Sequence, residues 1–542
     1  MKKSVLIVTS FFIIIPALLS QTGILTTAER SDYTLTSTYD DVMSFINTMQ
    51  KTSKIMRIDT LATSTEGRVV PLVVIGNPLP VSLADIKKDG RIPIYIQANI
   101  HAGEVEGKEA TQMLIRDIIN GKSKDFLKDI VLLVCPILNP DGNEKFSDQN
   151  RRNQNGPASV GVRYNGQHLD LNRDAMKLET PEIRGVVTNV LNKWDPAVSV
   201  DCHTTNGSFH KEPVTFTWMM NPNGDTILRN YMRDNMASGI SRTLLNKYNV
   251  ENVFYGEFID RKDIEKGWIS YAPEPRYLWN YIGIRNRLSI LNENYVYADF
   301  KTRVNGCYNL LWSILEYSVQ NKQQIKQQIT DADNRTINKG IKPAITDSFA
   351  IDYKAFPTPE KVTIKAYDYV KYTDDKGNER YKKSDEWHKI NVPYFADYFP
   401  TKNTKFPFAY ILAIPDKKVI KILKMHGVKV EKLKNDISID VERFNTEELK
   451  PSERLNQGHY TENIKGEYVI ESIKFTEGTY IVRTGQKLGY LAAYLLEPMA
   501  DDGLLFWNFF DRYLVPQWGK KFYPYPVYRI ISPVKIKTTV IN

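Results

Sequence analysis

His101 and Glu104 stand three residues apart around a turn, Ala102-Gly103, that directly follows an apolar run at 92–100. Two further candidates sit in similar places downstream: His203 after the apolar run 197–201, and Glu293 after 288–291. Asn172 and Arg173 lie between Glu104 and His203 in a polar segment. Two imidazoles and one carboxylate suit a zinc ion and leave its fourth position open, the composition of a catalytic rather than a structural site. Zinc in such a site brings the pKa of a bound water towards neutrality and polarises a carbonyl. Glu293, a carboxylate left off the metal, would take the water's proton and pass it to a leaving amine. An arginine near the metal would stabilise the oxyanion. Arg173 with Asn172 would clamp a carboxylate on the substrate, because the guanidinium fork matches carboxylate geometry.

Each residue has a plainer role open to it. His101 would pack in a core at a strand end, Glu293 would pair with Arg303 or Arg287, and Arg173 would anchor a loop. His168, His210, His388, His426 and His459 have no ligand-like partner at a useful spacing and read as surface or packing residues.

Positioning these side chains requires buried strands that end at one edge. Apolar runs at 69–75, 92–100 and 130–137 alternate with an amphipathic segment at 106–120 that Gly121 stops. The third run ends in Asn139-Pro140-Asp141-Gly142, a turn signal. A polar loop at 147–166 carries Arg151-Arg152, and Thr180-Pro181-Glu182 opens a helix that runs to Trp194. The strand at 288–291 and a closing helix at 303–328 complete an α/β pattern. Proteins of that class bind ligands at the carboxyl ends of their strands, where these turns fall.

A chain of 542 residues is too long for one ordinary core. The polar stretch 330–345 reads as a linker, and beyond it short alternating strands (362–370, 408–414, 466–475) and one helix at 416–425 predict a β-rich domain over 346–542. Its aromatic run, 504–510, reads as core or domain interface. Lys2-Lys3 followed by an apolar stretch at 5–19 has the layout of a signal peptide over 1–20, cut after Ser20. The product is then secreted or periplasmic, with no stable membrane insertion after cleavage. A net charge of +9 without a basic stripe interleaved with aromatics reads as a lysine-rich solvated surface and argues against a nucleic-acid partner. Three cysteines make no disulfide framework and read as buried thiols.

The order of the motifs resembles the zinc carboxypeptidases related to pancreatic carboxypeptidase A. The residues that carry the likeness are Ser64-x-Glu66-Gly67-Arg68, His101-x-x-Glu104, Asn139-Pro140-Asp141-Gly142, Asp170-x-Asn172-Arg173, Asp201-x-His203, and Glu293 within Asn292-Glu293-Asn294-Tyr295. The match spans 34–317, so a catalytic domain over 31–329 is expected, of the bacterial secreted type with an extra C-terminal domain. The resemblance implies a three-layer α/β/α fold with a mixed, eight-stranded sheet. It implies one zinc per chain on His101, Glu104 and His203, with Glu293 as general base and acid. Asn172 and Arg173 would hold the free C-terminal carboxylate of a peptide substrate, and Asp170 would orient His101. By the family's spacing Arg151 takes the oxyanion role with Arg152 close behind, and Tyr271 or Tyr281 would be the mobile active-site tyrosine. Two departures stand out. Gly103 replaces an arginine common in the family, so one binding contact is absent. His-x-Gly-Glu is also similar to the aspartoacylase-like deacylases. The expectation is an exported metallocarboxypeptidase. The alternatives are a deacylase or amidase on small N-acyl amino acids or cell-wall peptides, and a catalytically silent peptide- or glycan-binding protein.

Overall fold

Residues 92–98 bury both faces of one strand. Ile92, Ile94 and Ile96 point into one apolar cluster and Tyr95 into another, which is the period of two expected of a strand inside a layered fold. A computed structural model describes residues 24–541 except 206, 271 and 520; the leader read over 1–20 lies outside the described residues. Ten strands precede the C-terminal region: β1 (Met56–Thr63), β2 (Val69–Ile75), β3 (Ile92–Ala98), β4 (Ile130–Cys135), β5 (Val198–Thr205), β6 (Val214–Trp218), β7 (Asn252–Phe254), β8 (Glu257–Phe258), β9 (Trp268–Ile269) and β10 (Leu288–Tyr295). Eight of them form one sheet in the order β1-β2-β4-β3-β5-β10-β6-β7. The sheet is mixed. Strands β4, β3, β5 and β10 run parallel at its centre, while β2 and β6 are antiparallel to β4 and β10 at its flanks.

Helices cover the first face of this sheet. Among them are α1 (Tyr39–Lys51), capped by Thr38 as a capping box with Asp41, α2 (Glu106–Ile119) and α3 (Phe300–Gln320). Phe45, Leu114 and Ile314 join the cluster that Ile94 enters. The second face is covered by the helical segment 181–194 and by residues from beyond 346, including Tyr494, Leu504 and Trp507 in the same cluster as Tyr95 and Leu133. The aromatic run at 504–510 therefore packs largely inside, with Leu504, Leu505, Trp507 and Phe510 buried.

The polar stretch 330–345 is mostly helical rather than an irregular linker: α4 (Lys322–Ile341) follows α3 after one residue. Composition misleads here because the helix buries polar groups in pairs. Asp333 accepts from Arg287, and Thr336 accepts from Asn286. Gly340 lies so close to the chain that a Cβ there would stand 2.2 Å from the carbonyl carbon of Thr484. After α4 the chain is β-rich. Strands β11 (Ser348–Pro357) and β14 (Tyr394–Lys405) join β9 and β8 in a four-stranded sheet, with β12 (Val362–Thr373) and β13 (Glu379–Val392) as a separate ribbon. A seven-stranded sheet follows, in which β15 (Ile437–Pro451) and β16 (Glu462–Phe475) are the longest pair. All three cysteines are free and buried.

Candidate metal centre and its cavity

The chain leaves β3 through Asn99, whose φ of +63° reverses its direction. Asparagine tolerates that region, and its side-chain amide also donates to the carbonyls of Ala102 and Glu104, fixing the turn. His101 and Glu104 are thereby held at the carboxyl end of β3. Strand β5 is its parallel neighbour and carries His203; β10 lies beyond it, with Glu293 directly opposite His203 in the register. Three adjacent parallel strands thus bring four side chains to one edge.

The donor atoms form a tight triangle. His101 Nδ1 is 3.1 Å from Glu104 Oε1, His203 Nδ1 is 3.0 Å from Glu104 Oε2, and the two Nδ1 atoms are 3.2 Å apart. Carboxylates stand behind both imidazoles: Asp170 Oδ1 is 3.0 Å from His101 Nε2, and Asp201 Oδ2 is 3.0 Å from His203 Nε2. The Asp170 contact favours a proton on His101 Nε2, which leaves the Nδ1 lone pair of that ring free for a metal. Donors at zinc-ligand distance on a tetrahedron stand about 3.3 Å from one another, so these three residues fit a zinc ion. All three are buried.

Glu104 is the electrostatic hub. It also accepts from the Thr204 N–H at 3.0 Å and from Arg151 Nη1 at 3.0 Å, and Arg163 Nη1 approaches to 3.5 Å. Burial alone would raise its pKa, but His101, Arg151 and His203 overcome that and hold it well below the usual carboxylate range. Glu293 differs. Its carboxylate makes no hydrogen bond or ion pair among the described residues, and burial pushes its pKa up to about 8; Glu104 adds to the rise and His203, Arg151 and Arg163 oppose it. The plainer partners for Glu293 are engaged elsewhere, Arg287 with Asp195 and Asp333 and Arg303 with Glu106.

One cavity of about 250 Å³ holds His101, Glu104, His203 and Glu293 together with Arg151, Arg163, Asn172 and Arg173. Arg173 rests on the ring of Tyr277, 4.4 Å from its centroid, and the Asn172 side-chain oxygen accepts from the Leu278 N–H at 3.1 Å. Asp170 reaches beyond His101 to Arg163 Nε at 2.9 Å, and it caps the turn carrying Asn172. The motifs at 64–68 and 139–142 support this floor from below. Asp141 accepts from Ser64, Arg68 and the Glu66 N–H, while Asn139 donates to the carbonyls of Ile100 and Arg163.

Several expectations change. Arg152 points away from the cavity, to Gln149. Tyr281 is fully buried and bonded to His426 and Arg285, so it does not line the cavity; Tyr255 and Tyr277 do. Tyr271 lies outside the described residues. Arg163 is a cavity residue that spacing did not single out. Its only sequence signal is its place seven residues before Asp170 in the polar loop. Gly103 has a steric cause: a Cβ there would meet Arg151 Cδ at 2.8 Å and the Gly161 carbonyl at 2.9 Å, so its absence admits the arginine.

Residues 42–218 match the sequence model of the family described as zinc carboxypeptidase. Among curated proteins, carboxypeptidase 2 of Trichophyton rubrum is 22% identical over 481 residues, covering 83% of this chain and 80% of its own. Carboxypeptidase 2 of Trichophyton tonsurans is 22% identical over 465 residues, covering 80% and 77%. Of solved structures, a metallo-carboxypeptidase from Burkholderia cenocepacia is similar at 15% identity with a TM-score of 0.40, covering 53% of this chain and 70% of that chain. The matched segment contains the whole donor triangle, and over that segment the chain is similar to the zinc carboxypeptidase family.

Proposed function

We propose that this protein is an exported zinc carboxypeptidase that hydrolyses the last peptide bond of a substrate with a free terminal carboxylate. The observation that carries the reading is the meeting, in one cavity, of the donor triangle, a Glu293 carboxylate without a partner among the described residues, and the partly buried Arg173. Zinc held by His101, Glu104 and His203 would supply a Lewis acid for the scissile carbonyl. Arg173, kept in place by the Tyr277 ring, takes the substrate's terminal carboxylate, with Asn172 beside it. Arg151 faces the developing oxyanion with a charge already fixed by Glu104 and the Thr204 carbonyl; Arg163 shares that side of the cavity. Glu293 accepts a proton from the attacking water at its carboxylate and returns it to the leaving amine. A pKa displaced to about 8 suits both halves of that exchange near neutral pH. Export rests on the leader pattern at 1–20.

The test compares one peptide with its C-terminus free or amidated. Hydrolysis confined to the free form is expected, because only a carboxylate uses Arg173. Equal rates on both forms, or cleavage only of small N-acyl amino acids, would overturn the proposal.

A further inference from the structure

The seven-stranded sheet sends a hairpin back to the metal centre. Strands β15 and β16 are joined by residues 452–461, and the tip is the two-residue turn Asn456-Gln457-Gly458-His459, closed by His459 N–H to the Asn456 carbonyl at 3.0 Å. Both central residues have positive φ, +52° at Gln457 and +83° at Gly458, as a type I′ turn demands. Asparagine or glycine fills the first of those positions without strain, whereas glutamine does not. What the glutamine gains is reach. Its Oε1 accepts the Asp170 backbone N–H at 2.7 Å, across 287 residues of chain. The same tip is pinned by His459, which lies 2.9 Å from Glu179 and 3.0 Å from Asn508.

Asp170 is the residue behind His101 and ahead of Asn172 and Arg173, so its backbone fixes both the metal side and the carboxylate side of the cavity. A second strut from the C-terminal region reaches the residue before Tyr277. Asp502 accepts from the Arg276 backbone N–H at 2.8 Å and from its Nε at 3.0 Å, next to Tyr277 under Arg173. We infer that Gln457 is a positioning residue for the substrate-carboxylate clamp, so that the β-rich region is part of the enzyme's active-site scaffold. The kinetic part of this inference rests on the hydrolase reading above.

The test uses the full-length chain with Gln457→Gly and Gln457→Asn. Both suit a positive φ, and neither carries an acceptor long enough for Asp170, so the turn is kept while the contact is lost. The thermal midpoint is expected to hold or rise, and hydrogen exchange at the Asp170 amide to quicken. KM for a peptide with a free terminus should rise about tenfold, the scale of a contact one layer behind a metal site, with kcat changed by less than about threefold. Unchanged exchange and unchanged KM in both variants would overturn the inference, as would a lower midpoint with kinetics intact. If the wild type cleaves no peptide, the hydrolase reading falls by itself, and the Asp170 exchange rate alone then decides whether Gln457 holds this loop.

Discussion

Glu293 and Glu104 are carboxylates in one cavity, and their surroundings drive them apart. Glu104 is surrounded by donors that hold its pKa well below the usual carboxylate range, while Glu293 makes no hydrogen bond or ion pair among the described residues and burial pushes its pKa up to about 8. That division matches a ligand and an acid–base group. Replacing Glu293 by Gln is therefore expected to leave bound zinc at one per chain by metal analysis, while kcat falls by about 10²–10⁴-fold. An unchanged kcat would remove Glu293 from the reaction. The residues of this constellation were legible in the sequence because each of His101, His203 and Glu293 follows an apolar run long enough to be a strand, and strand ends fix where a side chain emerges. Arg163 was not legible, since a loop without periodicity gives no hint of which arginine turns inward. The same lack of period left Arg151 and Arg152 indistinguishable, although one braces Glu104 and the other points away to Gln149.

At the scale of elements, the helix Lys417–Met425 ends in His426, which is buried against the cavity-side helix Leu278–Ile284. Its Nε2 lies 3.0 Å from the Met176 carbonyl and its Nδ1 2.7 Å from the Tyr281 hydroxyl, so the ring is neutral, donating at one nitrogen and accepting at the other. Burial lowers its pKa to about 3, with the Met176 carbonyl opposing and Arg285 adding to the fall. The unfolded chain takes up that proton near the ordinary value of about 6.5. Between those two values the unfolded state binds more protons than the folded one, so this contribution is intact above about pH 6.5 and is lost progressively as pH falls towards 3. The loss amounts to a few kcal/mol, on the order of 1.4 per pH unit across the window. Thermal midpoints measured from pH 7 to pH 4 should fall more steeply for the wild type than for His426→Gln; parallel curves would show that the ring does not stay neutral. Spacing alone marked His426 only as surface or packing, because its partners at 176 and 281 are far away in sequence.

For the whole molecule, the second face of the eight-stranded sheet shares one apolar cluster with residues from Phe349 to Val527. A chain ending at residue 345 would expose Tyr95's cluster to water and should be insoluble or lack a cooperative thermal transition, while still containing every donor of the metal site. A soluble fragment with a sharp transition would contradict this account of the core. The β-rich character beyond 346 was evident from short alternating runs, and the buried aromatic stretch at 504–510 from its hydrophobicity. The docking itself was hidden. Apolar residues that cover a neighbouring layer carry the same pattern as residues that cover their own sheet, and α4 disguised its packing behind paired polar groups such as Asp333 with Arg287.

The order of synthesis gives that shared cluster a further meaning. Ribosomes deliver His101, Glu104, His203 and Glu293 well before Gln457, Trp507 or Val527 emerges. The metal donors are therefore made before much of the apolar cover on the sheet's second face, which comes from residues such as Tyr494, Leu504 and Trp507.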